Sequence, residues 1–119
     1  MTINKIKNTE EYTDYIKEIM KPFGKCEFKK MFGSMGIFKE GISFGGIMEN
    51  VFRLKVDDSN RNDYEVKGMG PWQVPGKKMK MSYYEVPIEI MEDPKLLMLW
   101  AQKAYEVAVK AKAKKKKKK

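Results

Sequence analysis

The chain has 119 residues, 42% of them hydrophobic, a formal charge of +9, one cysteine and no histidine. That composition suits one domain with an ordinary core. It excludes a Ser-His or Cys-His nucleophile, leaves a zinc site only one thiol and carboxylates to build from, and offers no apolar run near the roughly 18 residues of a membrane span.

The opening residues, MTINKIKNTEEY, hold no hydrophobic stretch of the kind a secretory leader needs, so none is expected. NTEEYTDYIKEIMKPFG then reads as a helix over about 9–21, with Tyr12, Tyr15, Ile16, Ile19, Met20 and Phe23 recurring on one face. Asn8 or Thr9 supplies the cap, and Pro22 with Gly24 ends it. Cys26 has Lys25 beside it but no histidine to activate it, so it is read as an ordinary thiol. A lone thiol and no need of a disulfide point to a reducing, cytoplasmic setting.

Three strands follow, at 28–38, 42–48 and 51–56, joined by tight turns at KEG and EN. Phe52, Leu54 and Val56 alternate with Arg53 and Lys55, which predicts one buried and one wet face. Five glycines lie between Lys29 and Ile47, which raises the question of a phosphate loop. None is followed by the Lys-Ser or Lys-Thr of a P-loop. Gly33-Ser34-Met35-Gly36 matches the GxxG of a KH domain, but with strand-forming flanks instead of helices. The glycines are therefore assigned to a hairpin, with Gly45-Gly46 marking a bulge or a close approach.

DDSNRNDYEVKG reads as a short helix capped by Asp57, Asp58 or Ser59 and closed by Gly68. A fourth strand is placed at GPWQV, a turn at PGKK and a fifth strand at 79–86. A helix over about 94–110 follows, capped by Asp93, with Pro94 first and Leu96, Leu97, Trp100, Ala101, Ala104 and Ala108 on its apolar face. The predicted fold is an α+β two-layer sandwich, order αβββαββα, with a five-stranded, mainly antiparallel sheet. It forms a single domain over 1–109.

Residues 110–119 form a separate Lys-rich tail, expected to be mostly disordered, although its alanines suit a prolonged helix. Eight of the 25 basic residues lie there, which leaves 17 against 16 acids and a nearly neutral body. The tail reads either as a solubilising appendage or as a non-specific nucleic-acid arm made of Lys110, Lys112, Lys114, Lys115, Lys116, Lys117, Lys118 and Lys119.

No carboxylate pair looks catalytic: Asp57-Asp58 and Glu92-Asp93 lead into helices. Trp72, Tyr83, Tyr84 and Trp100 read as buried aromatics, with base stacking as the alternative. Alternation in the fifth strand separates Met79, Met81 and Tyr83 from Lys80, Ser82 and Tyr84. If the third and fifth strands share a sheet, Arg53, Lys55, Lys80 and Tyr84 form an outer surface, either simply solvated or partner-binding.

The run MFGSMGIFKEGISFGGIMENVFRLKVDDSNRNDYEVKG, followed by MSYYEVP and LWAQKA, resembles the N-terminal domain of the TfoX/Sxy family of bacterial competence regulators over about 29–104. Tyr84 stands where a Trp is usual, and longer members carry a second, C-terminal domain that is not expected in these 119 residues. The resemblance implies a secretion-chaperone-like α+β fold and a regulatory role near transcription, without catalysis or a cofactor. Two functions follow. One is a protein-interaction module with an unknown protein partner and room for a homodimer. The other is a nucleic-acid binder using the tail and a basic sheet face. No membrane partner is expected.

Overall fold

A computed structural model describes residues 7–31, 33–74, 76–78 and 80–117, with Lys116 and Lys117 described by their backbone alone. Helix α1 spans Glu10–Met20 and runs into a 3-10 turn at Lys21–Phe23. Strands β1 (Glu27–Met31), β2 (Ser34–Lys39), β3 (Ile42–Met48) and β4 (Val51–Lys55) follow, then α2 (Arg61–Glu65), β5 (Pro71–Gln73), β6 (Lys80–Glu85), α3 (Ile88–Met91) and α4 (Pro94–Lys117). One antiparallel sheet has the order β1-β2-β3-β4-β6-β5.

The sheet thus has six strands, not five. The segment expected as one strand over 28–38 folds on itself, with Met31 paired to Ser34 and Gly33 at φ 82° between them. Glycine reaches this left-handed region without the clash a Cβ brings. Two further hairpins have two-residue turns with both central residues at positive φ: Glu40 and Gly41 (51° and 77°), and Glu49 and Asn50 (54° and 59°). This twist matches that of the flanking strands.

Thr9 is the cap of α1, its Oγ1 accepting from the Tyr12 amide at 3.1 Å. Asn8 instead fastens the helix start to the β3–β4 turn: its Nδ2 donates to the Ile47 carbonyl at 2.7 Å and its Oδ1 accepts from the Asn50 amide at 2.8 Å. Asn50 reciprocates, its Oδ1 accepting from the Thr9 amide at 3.0 Å. The Phe52 amide donates to the Tyr12 hydroxyl at 3.1 Å. Asp57 does not cap α2; it turns back on Ser59, and the buried Asn60 holds that corner through the Asp57 amide and the Lys55 carbonyl. Asp93 caps α4, as expected, accepting from the Lys95 and Leu96 amides.

All four helices contribute to one core on one face of the sheet. Ile16 and Met20 enter from α1, Tyr64 from α2, Ile90 and Met91 from α3, and Leu97, Trp100, Ala101, Ala104 and Ala108 from α4. Leu96, expected on the apolar face, is 40% exposed, while Val107 is buried. Two aromatic clusters organise this layer. Phe23, Phe44 and Tyr105 meet at ring-centroid distances of 5.3–6.4 Å, and Tyr64 packs on Trp100 at 4.5 Å and Tyr84 at 5.6 Å. The Tyr105 hydroxyl also donates to Glu40 at 3.3 Å. Helix α4 does not stop at the tail: it continues through Lys117, beyond the expected end near 110, so the described part of the Lys-rich segment is helical. Lys118 and Lys119 lie outside the described residues.

Two substitutions test this packing. A Cβ at Gly45 would lie 2.9 Å from the Arg53 carbonyl oxygen and from Leu54 Cδ2. Gly45→Ala is therefore expected to cost about 1–3 kcal/mol in urea unfolding. The Tyr64 hydroxyl is buried without a hydrogen-bond partner, and burial holds its pKa well above the ordinary phenol value, with Asp63 adding to the rise. Such a group costs about 1–3 kcal/mol, so Tyr64→Phe should leave the midpoint unchanged or raise it. A clear loss would mean the hydroxyl is satisfied.

Candidate functional site

The face of the sheet turned away from the helices is where the structure gathers chemistry. Register decides its membership. Arg53 pairs with Glu85, Leu54 with Tyr84 and Lys55 with Tyr83. Arg53 and Lys55 therefore share the open face with Tyr83 and Glu85. Tyr84 lies across from buried Leu54 and is only 7% exposed, packed against Tyr64. The expected quartet is thus split: Arg53 and Lys55 are on the open face, while Tyr84 belongs to the core. Lys80 shares Tyr84's strand parity and is exposed at the start of β6. Met79 lies outside the described residues. The fifth-strand alternation was read correctly; the faces were assigned the wrong way round, because the side chains of a strand take their sides from its partner.

The open face holds a groove of about 550 Å³. Met31, Met48, Met81, Trp72 and Tyr83 line it, with Gly36 and Gly46, cross-strand partners, in its floor. The glycines are required by packing. A Cβ at Gly46 would stand 2.9 Å from Met48 Sδ and 2.8 Å from the Met35 carbonyl oxygen; one at Gly36 would meet Met31 Sδ at 2.9 Å. The sulfurs occupy the space a side chain would need. Met48 is 6% exposed yet lies outside the helix-side core, whereas Met31 is 44% exposed.

Polar groups frame the thioethers. Trp72 Nε1 donates to Glu49 Oε1 at 2.7 Å, which fixes the ring and occupies the carboxylate. The Arg53 guanidinium lies over the Trp72 ring at 5.8 Å, Lys55 Nζ over Tyr83 at 5.4 Å and Lys29 Nζ over Phe38 at 5.2 Å. The Tyr83 hydroxyl is 3.3 Å from Ser43 Oγ. Burial pulls the Arg53 pKa below its ordinary value, against Glu85 and Glu49, and its Nε has no hydrogen-bond partner. Lys7 and Lys77 stand at the groove's edge, and no ion pair among the described residues involves either. The methionine lining was missed in the sequence. Met81 was within reach through alternation, but nothing in the local pattern around Met31 marks it.

Asp57 and Asp58 hold a corner and an ion pair: Asp57 binds Ser59, and Asp58 pairs with Arg61. Among the described residues no cluster of three His, Cys, Asp or Glu is arranged to hold a metal ion. No described helix is long and apolar enough to cross a membrane. Of the tail lysines, Lys110, Lys112, Lys114 and Lys115 are exposed along α4; against the effect of burial, the hydrogen bonds from Ser59, and after them Lys110 and Lys114, hold the Asp57 pKa below its ordinary value. Lys116 and Lys117 extend the same helix.

Cys26 sits apart, half-buried in a shallow depression between α1 and β1. Burial raises its thiol pKa, against the opposing pull of Lys39. Its alkylation by iodoacetamide should therefore be slower in the folded chain than in urea at the same mildly alkaline pH, and its rate should rise at higher pH. Equal rates would contradict the shielded thiol.

Among known protein families, the model described as TfoX N-terminal domain matches residues 18–108. No curated protein matches the chain. The matched span begins within α1 and ends at Ala108, so it takes in the whole sheet, the groove wall and the buried part of α4.

Proposed function

Because the chain belongs to the TfoX N-terminal domain family, we propose that it is a non-enzymatic, regulatory protein-interaction module, with a fold of the secretion-chaperone-like type and the open face of its sheet as the working surface. The observation that carries this reading is the groove. Helices cover one face of the sheet, and the other presents an apolar channel of about 550 Å³ framed by charged groups. Exposed apolar surface of this kind, rimmed by polar residues, is what partner sites look like. The cations over Trp72, Tyr83 and Phe38 also favour a protein partner over base stacking, since each already lies on an aromatic face. A cytoplasmic location and a part in transcriptional regulation go with the same reading.

A second reading keeps nucleic acid on the tail alone. The observation favouring it is the continuation of α4 through Lys117, which holds lysines 110, 112, 114 and 115 along an exposed helical rod. Two measurements separate the readings. Immobilised protein in cell lysate should retain proteins after nuclease treatment and lose them when Met81→Glu is introduced. Retention abolished by nuclease would move the function to the tail. Binding to one DNA duplex should vanish on deletion of residues 110–119, and its logarithm should fall against log salt by about 0.9 per phosphate contact. Equal slopes for full and shortened chains would remove the tail from the function.

A further inference from the structure

We propose that the open-face groove receives an amphipathic helix of a partner protein, one whose apolar stripe is flanked by acidic side chains. This rests on the protein-interaction reading above and names the partner's chemistry.

The lining argues for a helix. The floor is made by β2 and β3, each hydrogen-bonded to a neighbour on both sides. These floor strands have no free backbone edge to offer an added strand, the sheet's edges being β1 and β5 at its two sides, so an occupant lying across the floor is best served by backbone groups already paired. A helix does this. Gly36 and Gly46 let Met31 and Met48 lie low across the floor, and seating a helix on them would cover the sheet's second face as α4 and its neighbours cover the first. Met31, Met48 and Met81 supply unbranched, polarisable side chains that adapt to apolar anchors at helical spacing. Trp72, fixed by Glu49, gives the channel one rigid wall.

Charge argues for acidic flanks. Lys7 and Lys77 line the groove without an ion pair among the described residues, and Lys29, Arg53 and Lys55 stand on the same face. Of the carboxylates there, Glu49 is already bound to Trp72, Glu27 is 3.9 Å from Lys29 and Glu85 stands across from Arg53, so three carboxylates face five cations. The same charges oppose the Lys-rich end of α4 from a second copy.

The test uses the full chain as bait for displayed random peptides of about 16 residues, or roughly four helical turns. Selected peptides should show apolar residues at i, i+3, i+4 and i+7 with Asp or Glu between them, and should gain helical circular dichroism on binding. Met31→Glu, at an exposed position, should weaken them at least about tenfold. Lys7→Glu with Lys77→Glu should do the same and flatten the salt dependence. Lys112→Glu, on α4, should change nothing, and unfolding midpoints will show that each variant folds. Selected peptides that alternate at period two, or that bind Met31→Glu as tightly as the parent, would overturn the proposal while leaving an interaction module with another surface. Self-association in sedimentation that Met31→Glu abolishes would replace the partner helix with a second copy. A library that yields no binder, beside tail-dependent duplex binding, would sink the interaction reading itself.

Discussion

Gly45 and Gly46 are the constraint around which the domain is arranged. Successive residues of a strand face opposite sides of the sheet, so this pair samples both. On both sides a Cβ would strike something: the Arg53 carbonyl and Leu54 from Gly45, the Met35 carbonyl and Met48 from Gly46. With no side chain to hold them apart, β3 and β4 close with Gly45 opposite Leu54 and Gly46 opposite Arg53. That register sends Phe52 and Leu54 to the helices and Arg53 and Lys55 to the open side. It passes to β6 through Arg53 and Glu85, which places Tyr84 beneath Tyr64 and leaves Tyr83 and Met81 in the groove. The polar tie between Asn8 and Asn50 then pins α1 to the end of the same hairpin.

Much of this was legible in the sequence, and the reasons are particular. Alternation over Phe52–Val56 stated its own burial, because both neighbours of β4 are in the sheet. Asp93 with Pro94, and Gly68, are short-range signals that do not depend on distant contacts. The errors came where the deciding contact is distant. The MFGS segment has strand formers on both sides of Gly33, so nothing local distinguishes one long strand from two short ones. Tyr84 and Lys80 were placed outside because the parity of β6 is set by Arg53 pairing with Glu85, a relation between residues far apart in the chain. The alanines at 108, 111 and 113, read as suited to prolonging the last helix, are a local signal of the same kind as Asp93 with Pro94, and α4 does continue through Lys117.

The two faces of the sheet are built on different terms. Towards the helices, branched and aromatic side chains interlock, with Ile37, Phe44, Phe52 and Leu54 fully buried. Packing of that kind specifies one arrangement. On the other face, glycines and methionines replace them. Thioethers can repack at small cost, so this surface accepts change without disturbing the register below it. A rigid layer and an adaptable layer share one sheet, and the family match covers both.

The two tight hairpins show a further economy. Each places a glutamate in the left-handed region, Glu40 at φ 51° and Glu49 at φ 54°, where an ordinary side chain costs roughly 1–2 kcal/mol. Asparagine or glycine would sit there more easily. Neither reaches as far. Glu40 accepts from the hydroxyl of Tyr105 on α4, and Glu49 from the indole of Trp72 on β5. Each turn thus tolerates local frustration in exchange for a tether to an element far along the chain. A substitution that idealised either turn would relax the hairpin and free the aromatic it restrains: the Tyr105 ring beside Phe23 and Phe44 in one case, the wall of the groove in the other.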